Sequence, residues 1–271
     1  ATADEHFRAA AVDIDEDELA ELRHVYDGES RVTLDFDLGS GWAQSLALSL
    51  DEPDQLADFY IQGGLDAPSI SDAGLRIRTP NRPPAHNFGI PDHDAVYLWT
   101  QQQFEGDLYV RFDFRSDLAG GLALLMLQAS GMHGESPLSD HRLRTAGNME
   151  SVAWQDIRNY HWEFLREMND VRNDVASHAM LKNPWRRPLG FGVEGPLRPA
   201  GEWRTLEFAQ DGGHLRGAID GVVVLDAVDD PGTSAGPVLS RGHVVIRCMS
   251  RTDLLVRDLE IWTRPVFDAG G

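Results

Sequence analysis

The sequence predicts an all-β sandwich. Three observations carry that prediction: many short segments with period-2 alternation of apolar and polar residues, glycine- and proline-rich turn signals between them, and little helical periodicity. The chain has 271 residues, 42% hydrophobic and 25% charged, which is ordinary globular usage and excludes a wholly disordered chain. No linker separates two cores and no internal repeat is visible. The expected organisation is therefore an N-terminal helical extension over 1–30, one sandwich domain over 31–264, and a flexible tail over 265–271.

The elements follow in order. Residues 13–26 (DIDEDELAELRHVY) read as a short acidic helix, with Leu19, Leu22 and Val25 at helical spacing and acids in the first turn. After Gly28 the period becomes 2: Val32, Leu34, Phe36 and Leu38 alternate with Thr33, Asp35 and Asp37, a half-buried strand. Residues 79–94 hold four prolines and must form a loop. Beyond Ala95 strand signals dominate. Leu108, Val110, Phe112 and Phe114 make one face of a strand, and Tyr109, Arg111, Asp113 and Arg115 the other. The run 121–128 (GLALLMLQ) is apolar on both faces, as a central strand would be. Residues 159–167 (NYHWEFLRE) alternate aromatic and polar side chains. Strands at 203–208, 215–219 and 222–225 are joined by the turns Asp211-Gly212-Gly213 and Asp220-Gly221, where glycine supplies positive φ. Strands at 242–247 and 254–262 close the series.

Charge excludes some partners. Asp plus Glu number 44 and Lys plus Arg 24, a formal charge of −20, so nucleic acid and anionic membrane surfaces are disfavoured. No apolar run approaches the ~20 residues that span a bilayer. Cys248 is the only cysteine, which excludes an intrachain disulfide. With no visible leader, a cytoplasmic location is favoured over a secreted chain whose leader has been removed. Lys182 is the only lysine, so an anion site would be built from guanidinium forks, which suit carboxylates.

The succession GDLYVRFDFRSD, GLALLMLQ, NYHWEFLRE, GEWRTL, HLRGAIDGVVVLD and GHVVIR…LLVRDLEIW is similar to the concanavalin A-like jelly roll of two antiparallel sheets. Within it, NYHWEFLREMNDVRNDVASHAMLKNPWRRPLGFGVEGP resembles the YesU-like family of bacterial proteins. That resemblance implies breakdown of pectic and related plant polysaccharides. The expected partner is thus an oligosaccharide or polysaccharide, acidic in character.

In such a sandwich the outward face of one sheet forms a groove for sugar chains. If Tyr160, Trp162 and Phe164 face the core, His161, Glu163 and Glu167 line the groove; a one-residue slip exposes the rings instead. Tyr109 and Arg111 are expected there too, with Trp99 as stacking platform and Gln101 as an amide. The polar segment 166–183 adds Arg166, Asn169, Arg172, Asn173, His178 and Lys182. These types suit β-elimination at a uronic acid: a cation or amide clamp on the carboxylate, His161 or His178 as base, Tyr160 or Tyr109 as acid. Hydrolysis by Glu163 and Glu167 is the alternative, although Leu165 stands where jelly-roll hydrolases of the laminarinase type carry a middle Asp. A binding module using Trp99, Trp162 or Trp185 is the third reading. No cofactor is required. Asp226, Asp229 and Asp230 are candidates for a structural calcium, and Asp92, His93 and Asp94 for a metal, with a polar turn the plainer reading of each.

Overall fold

The computed structural model describes residues 38, 40–64, 66–79, 95–118, 121–138, 157–167, 178–184, 187–192, 201–232, 236–249 and 252–265, with backbone alone for 166, 167 and 191. The expected helix at 13–26, the strand at 32–37, the proline-rich loop with Asp92, His93 and Asp94, the side chains of Asn169, Arg172, Asn173 and Trp185, and the tail beyond 265 lie outside these residues.

The strands are β1 (Ala43–Leu48), β2 (Phe59–Gly63), β3 (Ser69–Ser71), β4 (Gly74–Arg78), β5 (Val96–Thr100), β6 (Phe104–Glu105), β7 (Asp107–Ser116), β8 (Gly121–Gly131), β9 (Ile157–Glu167), β10 (Ala179–Asn183), β11 (Arg187–Phe191), β12 (Arg204–Asp211), β13 (His214–Ile219), β14 (Val222–Val228), β15 (Arg241–Met249) and β16 (Asp253–Arg264). A 3-10 turn at Pro53–Asp58 precedes β2. Among the described residues, no helix is long and apolar enough to cross a membrane.

Two antiparallel sheets of eight strands result. The first runs β14-β13-β12-β7-β16-β4-β3, with β1 also on β16; the second runs β11-β10-β9-β8-β15-β5-β2, with β6 also on β15. The strands predicted beyond Ala95 are present, and the two turns at 212–213 and 220–221 join β12 to β13 and β13 to β14. β10 is the main departure. Its residues belong to the polar segment 166–183, yet Ala179–Asn183 pairs with β9 through five residues and is buried throughout.

The core lies between the sheets. From the first sheet come Leu108, Val110, Phe112 and Phe114; from the second come Leu125, Leu127, Tyr160, Trp162 and Phe164. The ring of Phe164 meets Phe114 and Phe112 edge-on, at centroid distances of 5.3 and 5.9 Å. Trp162 fits because β13 presents no side chain beneath it: a Cβ on Gly217 would stand 2.7 Å from the indole. Cys248 is buried in the same core, and burial pushes its thiol up.

Candidate functional site

The alternation along β9 settles which way its polar residues point. Tyr160, Trp162 and Phe164 belong to the inter-sheet core, so Asn159, His161 and Glu163 face away from the first sheet. The register then builds two rows across the outer face of the second sheet. One row is Glu163 on β9, Leu124 on β8, Arg247 on β15, Tyr97 on β5 and Gln62 on β2. The other is Leu181, His161, Met126, Val245, Trp99 and Tyr60. Tyr97, Trp99, Met126 and Val245 form an apolar cluster separate from the core.

An outer sheet face is usually solvated or covered by apolar residues. Here it buries polar groups: His161 and Glu163 are each 3% exposed, Arg247 and Gln62 1%. Burying such groups is costly unless they are held, so their orientation matters. The amide of Asn183 donates from Nδ2 to Asn159 Oδ1 at 2.8 Å and stands 3.4 Å from His161 Nδ1. That contact makes Nδ1 the acceptor and leaves the imidazole proton on Nε2. Nε2 lies 3.7 Å from Glu163 Oε1. Trp99 is held by its indole N–H donating to Gln62 Oε1 at 3.0 Å, and the Arg247 guanidinium lies 4.9 Å above the Tyr97 ring. A proton donor, a carboxylate, a guanidinium and two rings therefore share one mostly apolar face, the composition of a small-molecule site.

Several predicted site residues lie elsewhere. Tyr160 and Lys182 point into the sandwich. The Tyr160 hydroxyl donates to Asp229 Oδ2 at 2.6 Å and accepts from the Leu239 N–H at 2.8 Å. Burial, then the bond to Asp229, holds that phenol far above its ordinary range. Lys182 Nζ donates to both Asp229 oxygens, at 2.9 and 2.7 Å, and to the carbonyls of Gly236 and Pro237. His178 precedes β10 on the same side, its ring 6.0 Å from that of Trp162, and burial lowers it to about 4. None of the three can line an outer groove, because the strand period turns them inward.

Tyr109 and Arg111 do face outward, but from the wrong sheet. β7 pairs with β12 and β16, whereas β9 pairs with β8 and β10. The two outer faces are on opposite sides of the sandwich. Tyr109 donates to Glu207 Oε1 at 2.6 Å, and Arg111 lies 3.8 Å from Asp113. Gln101 is exposed beyond the end of β5, where its N–H donates to the Asp58 carbonyl. Arg166 and Glu167 lie at the end of β9. The candidate calcium ligands at 226–230 have other partners in this structure. Asp229 is committed to Lys182 and Tyr160, Asp226 lies 2.7 Å from His214 Nε2, and Asp230 accepts from the Gly232 N–H. Among the described residues no group of three or more His, Cys, Asp and Glu could hold a metal.

Sequence reasoning missed Arg247, Tyr97, Gln62 and Asn183. The available signal for Arg247 was a single guanidinium inside the otherwise apolar run GHVVIRC.

Residues 46–261 match the family described as Domain of unknown function (DUF1961). The chain is 22% identical over 178 residues to the uncharacterized protein YesU of Bacillus subtilis strain 168, a match covering 65% of this chain and 80% of that protein. A crystal structure from Bacillus subtilis of a protein of unknown function with galectin-like fold superposes with a TM-score of 0.69 at 21% identity, covering 82% of this chain and 97% of that one. The carbohydrate recognition domain of Emp46p, potassium-bound, gives 0.53 at 12% identity, covering 82% and 97%. The lumenal domain of VIP36 bound to Ca2+ and Man3GlcNAc gives 0.52 at 11%, covering 83% and 90%. These likenesses establish the fold as a concanavalin A-like, galectin-like sandwich.

Proposed function

This chain belongs to the DUF1961 family, and from that premise we propose that it is a carbohydrate-active protein that cleaves uronic-acid-containing saccharides by β-elimination on the outer face of its second sheet. The observation that carries the reading is the buried pair His161–Glu163, with Nε2 and Oε1 3.7 Å apart on a face lined with rings. The likeness to a carbohydrate recognition domain and to a domain bound to an oligosaccharide supports a sugar as the ligand.

The chemistry follows from the two groups. Glu163 takes the proton α to the uronate carboxylate. The freed electron pair forms the C4–C5 double bond as the C4–O bond breaks. The leaving oxygen takes the Nε2 proton of His161, which Asn183 keeps in the donor tautomer. A neutral imidazole serves as electrophile in other enolising sites. The proton gained by Glu163 then returns to Nε2 across the same short gap, and the pair is reset. Two-carboxylate hydrolysis would need a second acid beside Glu163. Among the described residues of the two rows, Glu163 is the only carboxylate. Incubation with oligouronates should produce the ultraviolet absorbance of an unsaturated uronate. New reducing ends without that absorbance would mean hydrolysis, and binding without either would mean a recognition module; each outcome overturns elimination.

A further inference from the structure

We propose that Ser136 and His243 form a second catalytic site, a carboxylic ester hydrolase in which the serine oxygen takes the acyl group and the imidazole moves the proton. That the alcohol half of the ester is a saccharide rests on the reading of the adjoining face as a carbohydrate site.

The local sequence brings the two residues together. β8 ends at Gly131, and the turn behind it is tied by the Gly134 N–H on the Gly131 carbonyl at 3.0 Å and the Gly131 N–H on the Glu135 carbonyl at 2.8 Å. A Cβ on Gly131 would collide with the Glu135 carboxylate, so the turn requires glycine there. The chain doubles back and lays Ser136 against the start of β15. His243 stands opposite Ala129 of β8, and a bulge between His243 and Val245 re-aims it. Val244 faces the core, so His243 turns to the outer side, where its ring meets Trp99 edge-on at 6.1 Å.

The partners assign the protons. His243 Nδ1 lies 2.7 Å from the Thr100 carbonyl, which can only accept, so Nδ1 carries the hydrogen and Nε2 is the acceptor. Ser136 Oγ, 2.7 Å from Nε2, is therefore the donor. Thr100 is itself held, its hydroxyl donating to the Gln102 carbonyl at 2.9 Å and accepting from the Val244 N–H at 3.2 Å. Burial holds the imidazole below its ordinary value, against the pull of the Thr100 and Gln102 carbonyls, so it is uncharged and basic in neutral solution. Nucleophile, base and orienting acceptor stand in series, the arrangement that activates a serine, with a carbonyl in the place of a carboxylate. His243 is 1% exposed and Ser136 is partly exposed, so an ester reaches the dyad from the serine side. Oγ attacks the ester carbon as its proton passes to Nε2. The bond from that carbon to the alcohol oxygen breaks, and the alcohol leaves with the proton. Water then gives a proton to Nε2 and its oxygen to the acyl carbon, and Oγ departs and regains the proton. The Leu138 N–H, which donates to Oγ at 3.2 Å, is a donor beside the carbon whose oxygen becomes negative.

The test is labelling of the native chain, S136A and H243Q with a fluorophosphonate, the adduct located by peptide mass, beside hydrolysis of para-nitrophenyl acetate and of O-acetylated galacturonate trimers. Near-ultraviolet circular dichroism verifies folding. The expected result is an adduct on Ser136 of the native chain, with S136A and H243Q losing the adduct and about 100-fold or more of both rates. S136A, which removes one partly exposed oxygen, carries the test if H243Q does not fold. A native chain without an adduct on Ser136, or ester cleavage undiminished in S136A, overturns the site. Cleavage of the aryl ester without release of acetate from the trimers overturns the saccharide half of the assignment. Elimination is followed in the same preparations: ester cleavage that S136A abolishes, with no unsaturated uronate formed, supports this site and overturns the elimination reading alone.

Discussion

Lys182 and Asp229 form a buried ion pair between the two sheets, with Nζ 2.7 Å from Oδ2 and side-chain exposures of 2% and 0%. The ammonium also donates to the carbonyls of Gly236 and Pro237. The chain's only lysine thus ties Asp229, Gly236 and Pro237 to β10. Removing one partner leaves the other charged and buried. K182M should cost about 3–5 kcal/mol in urea unfolding, and K182M/D229N should recover part of that loss. A K182M chain as stable as the native one would contradict this role.

Trp162 depends on Gly217. G217A places a methyl 2.7 Å from the indole, closer than packed atoms tolerate. It should destabilise by about 1–3 kcal/mol, with W162F in the same chain relieving part of the strain. G212A makes the contrast: a Cβ there meets nothing within 4 Å, and its penalty should come only from the positive φ of 56°. Equal losses for the two, with no rescue by W162F, would reject the packing argument.

His178 makes stability depend on pH. Burial lowers its folded value to about 4 from an ordinary 6.5. Between those values the unfolded chain binds a proton that the folded chain refuses, so stability falls as pH drops from about 6.5 to about 4. The loss attributable to this residue is about 3 kcal/mol when complete. H178F should flatten that part of the profile, measured by urea unfolding at intervals from pH 7 to about 4. A profile of unchanged slope in H178F would remove His178 as its source.

How much of this was legible in the sequence depends on range. Alternation is local, so it identified which residues of β7 and β9 share a face. Sheet membership is decided by pairing between distant segments, β7 with β16 and β8 with β15, and no local pattern reports it. Tyr109 and His161 were therefore placed on one face when they lie on opposite sides. Lys182 was legible as unusual but not as structural, because five residues of β10 embedded in a polar stretch look like loop until their partner strand is known. Arg247 was hidden for the opposite reason: one charge in an apolar run looks like a solvated exception. Its place on the outer face appears only when Leu124 and Tyr97 are found on either side.

The sheet assignment itself is open to direct measurement. Initial rates of unsaturated-uronate formation should be compared for the native chain, H161A, E163Q, Y109F and R111A, using whichever oligouronate supports turnover. In the proposed reaction His161 and Glu163 act at the bond that breaks, while Tyr109 and Arg111 lie across the sandwich. H161A and E163Q should therefore lose about 100-fold or more in kcat, while Y109F and R111A stay within about twofold of native. Undiminished turnover in H161A and E163Q, or collapse in Y109F and R111A, would contradict the outer face of the second sheet as the place where this protein works.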